Sequence, residues 1–369
     1  GGLTVDGKYS GIGAVAAGSE TTLPVVNRGG VPANAGAVAL NVTVTNPTSP
    51  SYLTAYPAGA KRPTASNLNF VADQTVPNMV IVPVGTGGAV TLFNQAGTTD
   101  VVVDLLGWFP AGTGFTGLTP ARLLDTREQP TVDNQYSGIG RVGPGETLHL
   151  HVNGRGGLPA SGTSAVALNV TATGATAGTY LTVFPSGGTR PTASNLNVGP
   201  GTTVANMVIV PLGAGGNIDI FNLAGSTDVV VDLLGSFPTG PSFTGVPPAR
   251  LMDTRVGEPT VDSTFSGTGA VVPGAPRVLT VVGRGGVPAN GVGAVALNVT
   301  VAGPTASGYL TVFPAGTTAP TASNLNFVVG QPVPNLVIVP VGAGGAISVA
   351  SAGGAADVVV DVLGWFPIG

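Results

Sequence analysis

Cysteine is absent from all 369 residues. That excludes a disulfide framework, thiol catalysis, zinc–thiolate sites and iron–sulfur clusters. Charge is scarce too, at 8% of residues, and lysine occurs only at Lys8 and Lys61. With a formal net charge of −4 and no basic cluster, the chain has no electrostatic footprint for nucleic acid. No apolar run approaches the roughly 20 residues that span a bilayer, and no basic amphipathic helix is written for its surface. Nucleic-acid binding and membrane insertion are therefore not expected. The only histidines are His149 and His151. They leave no partner for a Ser-His-Asp triad, and neither a G-x-S-x-G elbow nor a phosphate-cradling loop accompanies them.

What is abundant is turn former and hydrophobe together. The chain holds 59 glycines and 32 prolines, yet 43% of it is hydrophobic. A disordered tail could not carry that much apolar surface in water. Short buried strands joined by tight turns fit both facts.

The chain also says nearly the same thing three times. A-V-A-L-N-V-T begins at Ala37, Ala165 and Ala294; T-A-S-N-L-N begins at Thr64, Thr192 and Thr321; D-V-V-V-D begins at Asp100, Asp228 and Asp357. A unit of that length buries its own core, unlike the repeats of about 20–45 residues in solenoids. The spacing divides the chain into units 1–110, 115–238 and 243–369, the first of them N-terminally incomplete.

Within a unit, strand follows strand. Val38, Leu40, Val42 and Val44 alternate with Ala39, Asn41, Thr43 and Thr45, a period of two with one face inward. The run from Met79 to Val82 is apolar without a break and ends at Pro83, which reads as a strand covered on both faces. Gly85-Thr-Gly-Gly88 offers the positive φ of a hairpin loop, with counterparts at Gly213–Gly216 and Gly342–Gly345. No helical period appears. The expected fold is all-β: three tandem antiparallel β-sandwich domains, jelly-roll-like, with a six-bladed β-propeller as the alternative. Joints of about four residues, Ala111–Gly114 and Thr239–Ser242, suggest a short beaded rod.

Each joint is followed by Phe-Thr-Gly and then by Pro120-Ala-Arg-Leu-Leu-Asp-Thr-Arg127 or Pro248-Ala-Arg-Leu-Met-Asp-Thr-Arg255. The turns Arg28-Gly-Gly-Val-Pro32, Arg155-Gly-Gly-Leu-Pro159 and Arg284-Gly-Gly-Val-Pro288 mark all three units. With A-V-A-L-N-V-T and T-A-S-N-L-N, these blocks closely resemble tandem modules of exported actinobacterial proteins, which stand in arrays or beside hydrolase domains. The resemblance covers almost the whole chain. It implies a secreted or cell-surface accessory module and assigns the module no chemistry of its own.

The candidate residues are few. Asp100 and Asp104, with Asp228/Asp232 and Asp357/Asp361, lie four apart on a strand, about 13 Å along it, too far to share one metal or to act as a typical glycosidase pair. They read as a turn cap and as a carboxylate paired with an arginine. The sharper reading makes one carboxylate of each pair a calcium or sugar ligand, with Asp104, Asp232 and Asp361 as the sugar candidates beside an aromatic platform of Tyr52, Tyr180 and Tyr309. Tyr56, Phe184 and Phe313 share that face, opposite Leu53 and Ala55, and the blander reading of all these rings is core filling between sheets. Asp125 with Arg127, and Asp253 with Arg255, read as structural ion pairs. Arg28, Arg155 and Arg284 should pin their Gly-Gly turns to a carboxylate. Asn41, Asn67, Asn69 and Asn78 recur in every unit and should satisfy loop backbone groups. His149 and His151 have no counterparts and read as a chance surface pair. No catalytic, cofactor or metal residue is expected.

The expectation is thus a non-enzymatic, extracellular or cell-surface array with a structural or adhesive role in display or assembly. The alternative is a multivalent, lectin-like carbohydrate-binding module. Partners would be other protein chains or cell-surface glycans, and no cofactor is called for. One arithmetic fact stands out: three units but only two P-A-R-L-L/M-D-T-R segments. One unit should therefore lack a strand and expose an open sheet edge suited to assembly. The chain opens Gly-Gly-Leu-Thr, without Met or a basic leader, and reads as a processed or cropped product.

Overall fold

The computed structural model describes residues 4–240 and 242–368. The opening residues Gly1 to Leu3, Pro241 in the second joint, and Gly369 lie outside the described residues. Unit one holds β1 (Ser19–Pro24), β2 (Ala35–Thr45), β3 (Ser51–Pro57), β4 (Leu68–Phe70), β5 (Val76–Pro83), β6 (Ala89–Asn94) and β7 (Asp100–Pro110). Unit two holds β8 (Thr116–Asp125), β9 (Thr147–His151), β10 (Thr163–Thr173), β11 (Thr179–Pro185), β12 (Leu196–Val198), β13 (Thr203–Pro211), β14 (Asn217–Asn222) and β15 (Asp228–Pro238). Unit three holds β16 (Thr244–Asp253), β17 (Arg277–Thr280), β18 (Val292–Ala302), β19 (Gly308–Pro314), β20 (Leu325–Phe327), β21 (Val333–Pro340), β22 (Ala346–Ala352) and β23 (Asp357–Pro367).

Each unit makes two antiparallel sheets. The outer ones run β1-β6-β3-β4, β9-β14-β11-β12 and β17-β22-β19-β20. The inner ones run β5-β2-β7, β13-β10-β15-β8 and β21-β18-β23-β16. The two sheets of a unit share one hydrophobic core. In unit two, Leu168 and Val170 of β10 meet Leu181 of β11, Leu196 of β12 and Ile220 of β14. The hairpin loops tighten as expected: Gly87 has φ 69°, and a Cβ on the preceding Gly85 would collide with the Ala58 backbone.

A further core joins the units. Ala37, Ala39, Met79 and Ile81 of unit one pack with Ala165, Ala167, Met207 and Ile209 of unit two and with Ala296 and Leu336 of unit three. These residues occupy the face of the inner sheets that turns away from each unit's own core. Phe109, Phe115, Phe237, Phe243 and Phe366 stack beside them, with ring centroids 4.9–6.0 Å apart. The small alanines let three inner sheets approach one axis, and the methionines and phenylalanines fill it.

The result corrects the beaded rod. The joints are short, but the chain folds back so that unit three meets unit one. The molecule is all-β, with six small antiparallel sheets in a ring, a propeller-like arrangement. Each unit by itself is a pair of sheets packed about one core, as in a sandwich, so both expected architectures describe a level of it.

Candidate functional site

The inner face of the ring is closed by a cycle of buried amides. Asn78 Nδ2 donates to Asn169 Oδ1 at 2.9 Å, Asn206 to Asn298 at 2.9 Å, and Asn335 to Asn41 at 2.8 Å. Each donor amide also accepts a backbone N–H from another unit. Met207 N–H meets Asn78 Oδ1 at 3.0 Å, Leu336 meets Asn206 at 3.1 Å, and Met79 meets Asn335 at 2.9 Å. The second N–H of each goes to the T-A-S-N-L-N loop of its own unit, as Asn78 does to the Asn67 carbonyl. The acceptor asparagines reach back as well: Asn169 donates to the Ser66 carbonyl, Asn298 to that of Ser194, and Asn41 to that of Ser323. All six amides are at most 1% exposed. The loop-satisfying role expected for these residues holds for Asn78 and Asn41, which donate to the Asn67 and Ser323 carbonyls, whereas Asn67 Oδ1 accepts the N–H of Ala55 in β3 at 2.7 Å. Asn41 and Asn78 have the larger role of holding the units together.

The P-A-R-L-L/M-D-T-R segments complete the unit that follows them. Strand β8 pairs with β15, and β16 with β23. In unit two Arg122 forks onto Asp232, at 2.9 and 3.2 Å, and reaches Asp125 at 3.3 Å. Arg127 forks onto Asp125 at 2.9 and 2.8 Å, and the Thr126 hydroxyl donates to Asp228. In unit three Arg250 reaches both Asp361 and Asp253, Arg255 forks onto Asp253, and Thr254 donates to Asp357. Burial pushes the Asp232 and Asp361 carboxyls up, and the paired Arg122 and Arg250 oppose it. The Gly-Gly turns are pinned as expected: Arg28 to Asp6 at 2.7 Å, Arg155 to Asp133 at 2.7 Å, and Arg284 to Asp262 at 2.6 Å. The guanidinium holds each of these three aspartates below the usual carboxylate range.

The sugar-ligand reading of the aspartates is corrected at two positions. Asp232 and Asp361 are at most 1% exposed and engaged by arginine, so no sugar hydroxyl reaches them. The tyrosines stand elsewhere, on the outer sheets. Tyr52 lies 6.3 Å from Phe93 and donates to Gln95, Tyr180 lies 6.3 Å from Phe221, and Tyr309 is 39% exposed. The expected constellation is therefore split between the two sheets of each unit. Tyr56, Phe184 and Phe313 fill cores, at 2%, 4% and 5% exposure.

A pair of arginines went unnoticed in the sequence. Arg62 lies over the Phe93 ring at 3.7 Å and Arg190 over Phe221 at 3.8 Å. Unit three has Ala319 and Ala350 at the matching positions, so arginine and ring vanish together. That joint replacement was the available signal. His149 pairs with Asp219 at 2.7 Å and His151 with Asn217 at 2.8 Å, each imidazole on its own partner. Among the described residues no group of three or more His, Asp or Glu is placed to hold a metal ion.

Unit one differs at one edge. Its inner sheet has three strands, and β7 stands at its margin. Asp104 has no arginine there. It accepts the Ser323 N–H at 3.2 Å, and burial pushes its carboxyl up. Asp100 takes the Asn46 amide at 3.2 Å instead of a threonine hydroxyl. Arg155 and Arg284 each donate to a carbonyl of the added strand, at Leu123 and Leu251, whereas among the described residues Arg28 bonds Asp6 and the Pro24 carbonyl.

No family model matches this chain, and no curated protein matches it. Among solved structures it is similar to one described as the atomic structure of Sulfolobus turreted icosahedral virus. The identity is 9% and the TM-score 0.23, over 96% of this chain and 86% of that one. It is also similar to one described by the triple jelly roll fold and turret assembly in an archaeal virus, with 10% identity and a TM-score of 0.23, over 95% and 83%.

Proposed function

We propose that this chain is a non-enzymatic structural scaffold, working outside the cell or at its surface in display or assembly. One observation carries the reading: the arginines, aspartates and asparagines that recur between units are engaged with one another or with backbone. The arginines hold aspartates and carbonyls, and the asparagines hold neighbouring units. Residues repeated for catalysis or ligand capture would instead converge on an open cavity with partners unfilled. The cleft between units one and two is lined by Ser66, Asn69, Arg122, Arg127 and Thr203, and both its arginines are already in ion pairs. The resemblance to exported actinobacterial modules supports the location.

Surface biotinylation of producing cells, with a glycan array probed by the purified chain, tests this. The chain should be recovered in the labelled fraction and should bind no glycan saturably. Recovery only from the cytosol would overturn the location. Saturable glycan binding lost in Tyr309→Ala would overturn the scaffold reading in favour of a lectin-like module.

A further inference from the structure

Among the described residues no strand pairs with the outer edge of β7, the edge that β8 and β16 cover in units two and three. In the register of β8 on β15, Arg122 faces Asp232, Ala121 faces Leu233, Gly117 faces Gly235 and Thr116 faces Ser236. The same positions of β7 are Asp104, Leu105, Gly107 and Trp108. Strand β7 bonds to β2 in the register that β15 keeps with β10, Asn41 opposite Asp104 as Asn169 is opposite Asp232, so its other edge is laid out alike.

The second mark of the place is aromatic. A Cβ on Gly235 would strike the Phe115 ring, and one on Gly364 the Phe243 ring. A Cβ on Gly107 meets nothing within 4 Å. Phe115 sits between Phe109 and Phe237 at 5.2 and 5.1 Å, and Phe243 between Phe237 and Phe366 at 4.9 and 5.0 Å. Phe366 and Phe109 face each other at 5.9 Å with no such ring between them. The cluster has room at this one seam for a phenylalanine that leads into a strand.

We propose that the β7 edge of unit one is a strand-acceptor site, and that its occupant is an antiparallel segment of the Phe-Thr-Gly…Ala-Arg-Leu-Leu-Asp-Thr-Arg type other than the copies in β8 and β16. Main-chain hydrogen bonds to β7 would supply affinity, as in other strand additions. Specificity comes from four matched features. The donor arginine meets Asp104, its threonine hydroxyl meets Asp100, its phenylalanine fills the cradle at Gly107, and one of its carbonyls accepts from Arg28. Both copies of the segment within residues 1–369 are already engaged, in β8 and β16, so neither is free to fill the place. This names a partner for the scaffold proposed above. It fails separately from that reading, because a chain that takes up no strand can still be a surface scaffold.

The test is a fluorescent peptide of residues 114–128, titrated into the intact chain and followed by anisotropy. It should bind saturably at one site per chain and raise the melting temperature in proportion to occupancy. A peptide with alanine in place of the residue corresponding to Arg122, or of that corresponding to Phe115, should bind at least about tenfold more weakly. In the protein, Gly107→Val fills a cradle that has space for it. It should leave the fold intact and abolish binding; Asp104→Asn should weaken it by a similar factor of about ten. Absence of saturable binding by the unmodified peptide would overturn the proposal. Equal binding by a scrambled peptide, or affinity unchanged in both protein variants, would overturn it as well.

Discussion

Strands β7 and β15 carry the same run, D-V-V-V-D-L-L-G, from Asp100 and Asp228. Val230 is nevertheless 4% exposed and Val102 47%. Ser236 is buried at 5%, whereas the bulkier and more apolar Trp108 opposite the same ladder position is 39% exposed. Asp232 faces a guanidinium; Asp104 faces a serine amide. Nothing inside the run separates the two strands. What separates them is whether a P-A-R-L-L-D-T-R segment lies alongside. Burial, charge pairing and the worth of a side chain here belong to the neighbour as much as to the strand, and identical sequence gives opposite expectations for substitution.

The sharpest test of this comparison uses one substitution at both aspartates. Asp232→Asn removes the buried carboxylate from Arg122 and leaves that cation mostly enclosed without its fork. The expected loss is about 3–5 kcal/mol in urea unfolding. A loss of only a few tenths would mean that the β8–β15 pairing does not depend on the ion pair.

Next in size is the seam between units three and one. Asn335→Ala leaves the Met79 N–H and the Asn41 Oδ1 without their partner, for about 1–3 kcal/mol per orphaned buried group. With every unit packed on the other two, calorimetry should show one transition shifted as a whole. Three transitions of which only one moves would return the molecule to a row of independent units.

The smallest effect has the opposite sign. Asp104→Asn removes a charge that is partly enclosed with no cation beside it, so the variant should be slightly more stable than the parent at neutral pH. An acid with its folded carboxyl pushed up binds its proton more readily folded than unfolded. Its charge therefore destabilises the fold at higher pH, and the penalty fades as pH falls toward the ordinary aspartate value of 3.8. Urea midpoints of parent and variant measured down to that pH should converge. A gap that widens on acidification would reverse the assignment.

The strands themselves were legible. The period-two run at Val38–Val44, the unbroken apolar run from Met79 and the glycine hairpins all formed as their patterns imply. The Asp125–Arg127 and Asp253–Arg255 pairs were legible too, because residues two apart on an extended segment share a face. The ring was not. Ala39, Asn41 and Thr43 read as the outward half of an alternation, and they do point away from their own unit's core. Their burial comes from the other units, and an amide inside a strand looks the same whether it serves its own loop or another unit. The run at Met79 held the hint, since a strand apolar on both faces needs a second partner. Counting segments marked unit one as the short one, and the pairing of β8 with β15 shows which strand it lacks.

The amide cycle also counts. Each unit has one asparagine that gives and one that receives, and the circuit returns to its start after three steps, when Asn335 reaches Asn41. Breaking any one link strands a donor on one unit and an acceptor on the next, so a unit that came loose would open the circuit on both of its neighbours. The asparagines thereby tie the three units into one piece.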